Sequence, residues 1–364
     1  TGGQNTASGY YALRNNTTAS NNTAFGYRTL RFNTANYNTA IGSNAMFSNT
    51  TGDGTAVGLN ALYSNTTGIY NVALGRGALY ANTTASYNTA TGRASLVCNT
   101  TGSGNTASGH YSLGQNTIGC QNTAVGNTAL CVNSTGNYNT AVGSMALRLN
   151  TTGSCNVAIG NCALNQNTTG TENTASGYAS LRFNTSGIKN TAFGITALYC
   201  NIIGSCNTAV GHQAARNTNA SHNTAMGHCS LYSNVLGTFN VAIGWRALRD
   251  NTAGCNTALG SEALVSNTTG IANTASGYVA LYSNITGGAN TALGYRSMVY
   301  NTTGCYNSAI GTSSLQFNTT GASNSALGHN ALRCNTTASN NVATGKAALQ
   351  NNTTGANNTA SGTY

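Results

Sequence analysis

The most regular chemistry in this sequence is a run of Asn-x-Ser/Thr tripeptides, the acceptor pattern for N-linked glycan. Fifteen of them fall at one place in a recurring unit: Asn16, Asn49, Asn65, Asn82, Asn99, Asn133, Asn150, Asn167, Asn184, Asn267, Asn284, Asn301, Asn318, Asn335 and Asn352. Acceptors at a constant spacing predict covalent glycans in a line along one edge. The same asparagine persists without the acceptor pattern at Asn33, Asn116, Asn201, Asn217, Asn234 and Asn251. A structural column of amides in turns therefore competes with the glycan reading.

A second set combines cations with aromatic rings at another fixed place: Arg14, Arg31, Tyr63, Tyr80, Arg148, Arg182, Tyr199, Arg216, Tyr232, Arg249, Tyr282 and Arg333. Guanidinium and phenol groups side by side can stack on each other, on sugar rings or on anionic polymers. The competing reading is a solvated edge whose long side chains cover the layer beneath. Exposed threonine rows are a third surface, of the kind that could meet ice or another flat lattice.

Catalytic chemistry has little to work with. The acids are Asp53, Glu172, Asp250 and Glu262 alone, and no general acid/base set, phosphate loop or nucleophile elbow accompanies them. We expect no enzyme and no cofactor. His110, His212, His228 and His329 share one place in the unit, with His222, Cys206 and Cys229 near the middle two. No Cys-x-x-Cys pair occurs among the 11 cysteines, so no metal site is expected. Cys200 and Cys206 flank one turn and are close enough in sequence to bridge, although small edge residues are the simpler expectation.

These residues are positioned by one unit, seen complete in residues 139–155 as Asn-Thr-Ala-Val-Gly-Ser-Met-Ala-Leu-Arg-Leu-Asn-Thr-Thr-Gly-Ser-Cys. Taking its first asparagine as position 1, there are 22 starts between Asn5 and Asn358, separated by 17 residues or, in four cases, 16. Such a period marks a solenoid or array. Position 3 is Ala and position 5 Gly in all 22 units. Position 9 is nearly always Leu, position 12 Asn, and position 15 Gly or Ala. Alternation of Thr, Ala and an apolar residue predicts a strand over positions 1–4, and Ala-Leu a second strand at 8–9. Gly at position 5 predicts a bend or a close backbone approach, and Asn-Thr-Thr-Gly a turn in which Gly supplies positive φ. Frequent Gly and Asn-rich turns argue against helix.

The fold expected is all-β: a parallel β-solenoid with one 17-residue repeat per coil and about 22 coils, forming a single continuous array over 1–364. Strands stacked about 4.8 Å apart would put like on like. The Leu of position 9 and the apolar residue of position 4 would make core ladders. The Asn of positions 1 and 12 would make amide ladders. Ala and Gly on the other strand face would admit a neighbouring chain.

Only 5% of residues are charged, with 14 Lys+Arg against 4 Asp+Glu and a formal net charge of +10. The basic residues are spread thinly, so nucleic acid is not an expected partner. No apolar run is long enough to span a membrane. The sequence begins and ends inside a unit, as expected of a window on a longer fibre.

Asn-Thr-Ala-Val-Gly at 122–126, 139–143 and 207–211, usually followed by Ala-Leu, resembles the head repeats of trimeric autotransporter adhesins and the repeats of phage and bacterial tail fibres. The resemblance implies a parallel β-roll, displayed extracellularly on a cell or virion surface, with three chains side by side. The 17-residue unit is longer than that family's usual coil. The sequence thus points to a structural extracellular fibre segment, glycan-coated and self-associating into a homo-oligomer such as a trimer. The alternative is an adhesin head or fibre shaft that binds a host receptor or surface glycan.

Overall fold

The computed structural model describes residues 2–363. They form two compact units that divide between Ser186 and Gly187. Strands β1 (Thr6–Ser8) to β11 (Thr174–Ser176) belong to the first unit, and β12 (Thr191–Phe193) to β22 (Thr359–Ser361) to the second. Within each unit every strand pairs in parallel with the next, one per coil, and no helix occurs among the described residues. Register is like on like: Ala141 opposes Ala158, and Ala158 opposes Ala175. At about 4.8 Å per coil, each unit is roughly 50 Å of stacked parallel solenoid.

The strand covers positions 2–4 and is only three residues long, except at Gly54–Val57 and Asn71–Leu74, which include position 1. Its phase differs from the expectation. Ala141 at position 3 has no exposed surface, whereas Val142 at position 4 keeps 37%. Phe25, Ile41, Leu74, Ile159, Phe193 and Met226 are likewise exposed. The invariant alanines therefore line the interior, and the apolar residues form an outward column. Ala is not the open face, and position 4 is not core.

The expected second strand at positions 8–9 is also absent. Two tight turns stand there instead. Ala146 N–H donates to the Gly143 carbonyl at 3.3 Å, and Asn150 N–H to the Leu147 carbonyl at 3.3 Å. Leu147 adopts φ 50°, with Met145 at 57° and Cys155 at 58°. An L-residue in the left-handed region costs roughly 1–2 kcal/mol. At position 9 the return is a leucine side chain with 0% exposure, and burying one contributes about 1.5–3 kcal/mol.

Two glycine positions have different causes. Gly143 has φ 129°, and a Cβ there would lie 2.7 Å from the carbonyl of Gly160 on the next coil. Close approach and backbone conformation both demand glycine. Gly153 at position 15 does not supply positive φ, contrary to expectation. A Cβ there would lie 2.4 Å from Asn150 Oδ1 and 2.4 Å from the Gly170 carbonyl. The left-handed residue of this corner is position 17.

Candidate interaction surfaces

The asparagines of positions 1 and 12 lie inside the coil. Asn133 Nδ2 donates to Asn116 Oδ1 at 2.7 Å and to the Gly136 carbonyl of its own turn at 2.9 Å. Asn139 uses its backbone N–H and Nδ2 on Asn122 Oδ1, at 3.0 and 3.2 Å, and Nδ2 also reaches Gly153 O at 2.8 Å. The expected amide ladders are present. Their logic is that a buried amide must satisfy two donors and an acceptor, and an identical residue one coil away does so.

This placement bears on the glycan acceptors. Thirteen of the fifteen have no exposed surface: Asn49, Asn65, Asn82, Asn99, Asn133, Asn150, Asn167, Asn184, Asn267, Asn284, Asn301, Asn318 and Asn335. In turns such as those of Asn65, Asn82, Asn150 and Asn335, both Nδ2 hydrogens are engaged. A sugar on such a nitrogen would remove a donor and need space that the coil lacks. Asn16 and Asn352 are half-buried. Acceptor patterns outside position 12 escape a reading confined to the repeat: Asn15, Asn21, Asn351 and Asn357 each precede Asn-Thr and are exposed, and Asn219, in Asn-Ala-Ser, is half-buried.

One coil departs from the amide pattern. Asn217, the shifted asparagine of a shortened unit, lies at position 11, its N–H donating to the Tyr232 carbonyl at 3.1 Å. Thr218 fills position 12: its N–H donates to the Ala215 carbonyl at 3.1 Å, and its buried Oγ1 has no partner.

The Arg/Tyr stripe forms real columns. Phe47 stacks on Tyr63 at 5.0 Å and Tyr63 on Tyr80 at 5.1 Å, both nearly parallel. Arg31 lies 5.8 Å from the Phe47 ring and Arg14 4.2 Å from Tyr11. Arg216 stands between Tyr199 at 5.0 Å and Tyr232 at 5.8 Å. Arg182 lies over Phe183, and Arg148 is exposed. Arg333 covers Phe317 at 5.5 Å and donates to Gln316 Oε1 at 3.0 Å. Arg249 is committed to Asp250, its Nε donating at 2.7 Å. That hydrogen bond raises the Arg249 pKa above the ordinary guanidinium value, against an opposing effect of burial. Tyr282 lines an aromatic hollow with Tyr278, Tyr295 and Tyr300.

Asp250 pairs with Arg249 and Glu262 with Arg246 at 3.1 Å, so these two acids are engaged by different cations. His212 stacks on His228 at 5.0 Å, and Cys229 lies 3.8 Å from His228 Nε2. No group of three or more His, Cys, Asp or Glu able to hold a metal occurs among the described residues. All 11 cysteines are free thiols; Cys206 is exposed and Cys200 half-buried, with no bridge between them. Burial pushes the Cys131 thiol up, as it does that of Cys229.

Serines at position 8 are a further internal element, signalled in the sequence only by their interchange with alanine. Ser95 and Ser112 are fully buried, with Oγ donating to the carbonyls of Gly92 and Gly109 at 3.0 and 3.1 Å. No helix is long and apolar enough to cross a membrane among the described residues. No family model matches the chain, and no curated protein matches it.

Proposed function

We propose that this chain is a segment of an extracellular structural fibre whose copies associate side by side through the outer face of the strand column. The observation that carries the proposal is the outward apolar column at position 4. It runs without interruption through Phe25, Ile41, Val57 and Leu74 in the first unit, and through Phe193, Val210, Met226, Ile243 and Leu259 in the second. No strand residue in either unit is charged. An apolar surface of this continuity marks a contact. A second copy is the partner whose side-chain columns have the same coil-to-coil spacing, so its ridges match within each unit.

The resemblance to adhesin-head and tail-fibre repeats supports display outside a cell or on a virion, and a trimer as the form of association. The proposal gives the chain no catalytic task. It also assigns the covering of the apolar face to protein rather than to a coat of N-linked glycan, because the position 12 amides are enclosed. Light scattering after gel filtration tests it. The wild-type chain should elute as a small multiple of its own mass. A Phe25→Thr, Ile41→Thr, Val57→Thr, Leu74→Thr variant should shift toward monomer. Thr91 and Thr344 show that position 4 accepts threonine. A wild-type chain that stays monomeric at tens of micromolar would remove the proposal.

A further inference from the structure

The second unit carries a groove that the fibre reading does not use. On its surface Tyr278 and Tyr295 stack at 5.7 Å, and Tyr300 and Phe317 stack at 5.3 Å with planes 5° apart. The two stacks belong to different columns, at positions 6 and 11. Between them lies a hollow of about 350 Å³ whose lining includes Tyr282 and Arg296. A second hollow of about 450 Å³ is lined by Tyr300, Phe317, Thr319, Cys334 and Thr336. Tyr300 lines both, so the two hollows adjoin at that residue.

We propose that this groove binds an acidic carbohydrate chain, with pyranose rings set against the tyrosines and a carboxylate or sulfate on Arg296. Three features select that chemistry. The hollows have the size of small-ligand sites, which combine apolar walls with a few placed polar groups. Tyrosine supplies an apolar ring and a hydroxyl together, matching a sugar's carbon face and its rim of hydroxyls. The charge is one-sided: no Asp or Glu occurs in residues 263–364, whereas Arg296, Arg333 and Lys346 do. A guanidinium recognises carboxylate or sulfate oxygens in a fork geometry. A neutral glucan would leave that charge unused. The column form of the site also suits a polymer, since successive coils offer successive subsites.

The site is separable from the coil. Position 11, held by Tyr300, is alanine at Ala81, and position 7, held by Arg296, is glutamine at Gln213 with the same left-handed backbone. Tyr300→Ala and Arg296→Gln therefore leave the solenoid intact, which a circular dichroism melt verifies. Calorimetric titration with oligogalacturonate and with hyaluronan hexasaccharide, and with dextran as the neutral probe, tests the proposal. The expected result is binding of at least one acidic probe and none of dextran. Each variant should weaken it by about tenfold, the scale of a central contact residue, and added salt should weaken it further. Tyr70→Ala, in the first unit, should change nothing. Absence of binding by both acidic probes, equal binding of dextran, or undiminished binding by the variants would overturn the proposal. None of these outcomes depends on whether the chain self-associates.

Discussion

Asn150 gives one amide hydrogen to Asn133 Oδ1 and the other to the Gly153 carbonyl, both at 2.8 Å. Its own Oδ1 accepts from Asn167 Nδ2 at 2.8 Å. This donor–acceptor chain, continued from coil to coil, satisfies amides that the turns enclose. Asn150→Ala would strand the Asn133 oxygen and one Asn167 hydrogen, while Gly153 keeps the Asn139 amide at 2.8 Å. Each stranded group costs about 1–3 kcal/mol. Urea titration of the variant should show a loss of roughly 2–6 kcal/mol, and hydrogen exchange should place the weakening in the neighbouring turns.

The opposite change is available at Thr218, where the column is interrupted. Asn33 and Asn251 occupy the same position in other 16-residue laps, so a short lap holds asparagine without strain. Thr218→Asn replaces an unpartnered buried hydroxyl with an amide and should stabilise the second unit by about 1 kcal/mol. A higher midpoint in thermal or urea unfolding checks it. A lower midpoint would show that the column does not govern stability at this coil.

Much of this architecture is legible in the amino-acid sequence. The period, the parallel register, the amide ladders and the close approach at Gly143 follow from residues that recur at a fixed interval. The inside–outside phase of the strand departs from expectation because hydrophobicity is a poor mark of burial in this coil. Position 4 ranges from Ser8 to Phe25, while position 3 never departs from alanine. A site that tolerates such a range in volume is not close-packed. Invariance, not apolarity, marks the core. The left-handed leucines are not legible, because leucine has no preference for positive φ. Only the stacking of coils imposes it. The aromatic groove is legible in part: Tyr282 lies on the stripe, but its junction with Tyr278 and Tyr295 needs the coil's closure.

The phase makes a sharp pair of expectations. Ala141→Val would force extra carbons into a filled interior and should cost about 1–3 kcal/mol. Val142→Ser, one residue away, should alter the stability of the single chain by no more than about 0.5 kcal/mol. Chemical denaturation of the two variants under dissociating conditions distinguishes them. Equal costs would mean that the strand has no defined inner face.

Modification should follow the same division. Expressed through an N-glycosylating pathway, the chain should carry sugar at Asn15, Asn21, Asn351 or Asn357. The thirteen enclosed asparagines should stay bare, as glycopeptide mass spectrometry would show. Substantial occupancy at Asn150 or Asn301 would be incompatible with their Nδ2 bonds at 2.8–2.9 Å.

Thiol reactivity gives a pH test of burial. The Cys131 pKa is raised by burial, with Arg148 opposing and Cys98 reinforcing the shift. Its thiolate therefore forms at higher pH than that of an ordinary cysteine. Peptide-resolved alkylation at pH 8 should label exposed Cys155 and Cys255 well before Cys131. The gap should narrow as pH rises. Labelling of Cys131 at the same rate as Cys155 would argue against its enclosed setting.

The most direct test of the whole account is a density map of the protein at side-chain resolution. It should show one parallel strand per 17 residues, stacked at about 4.8 Å, with Ala141 turned inward, Val142 turned outward, and a neighbouring chain against the Val142 face. A map without that rise, or with Val142 in the interior and Ala141 on the surface, would contradict it.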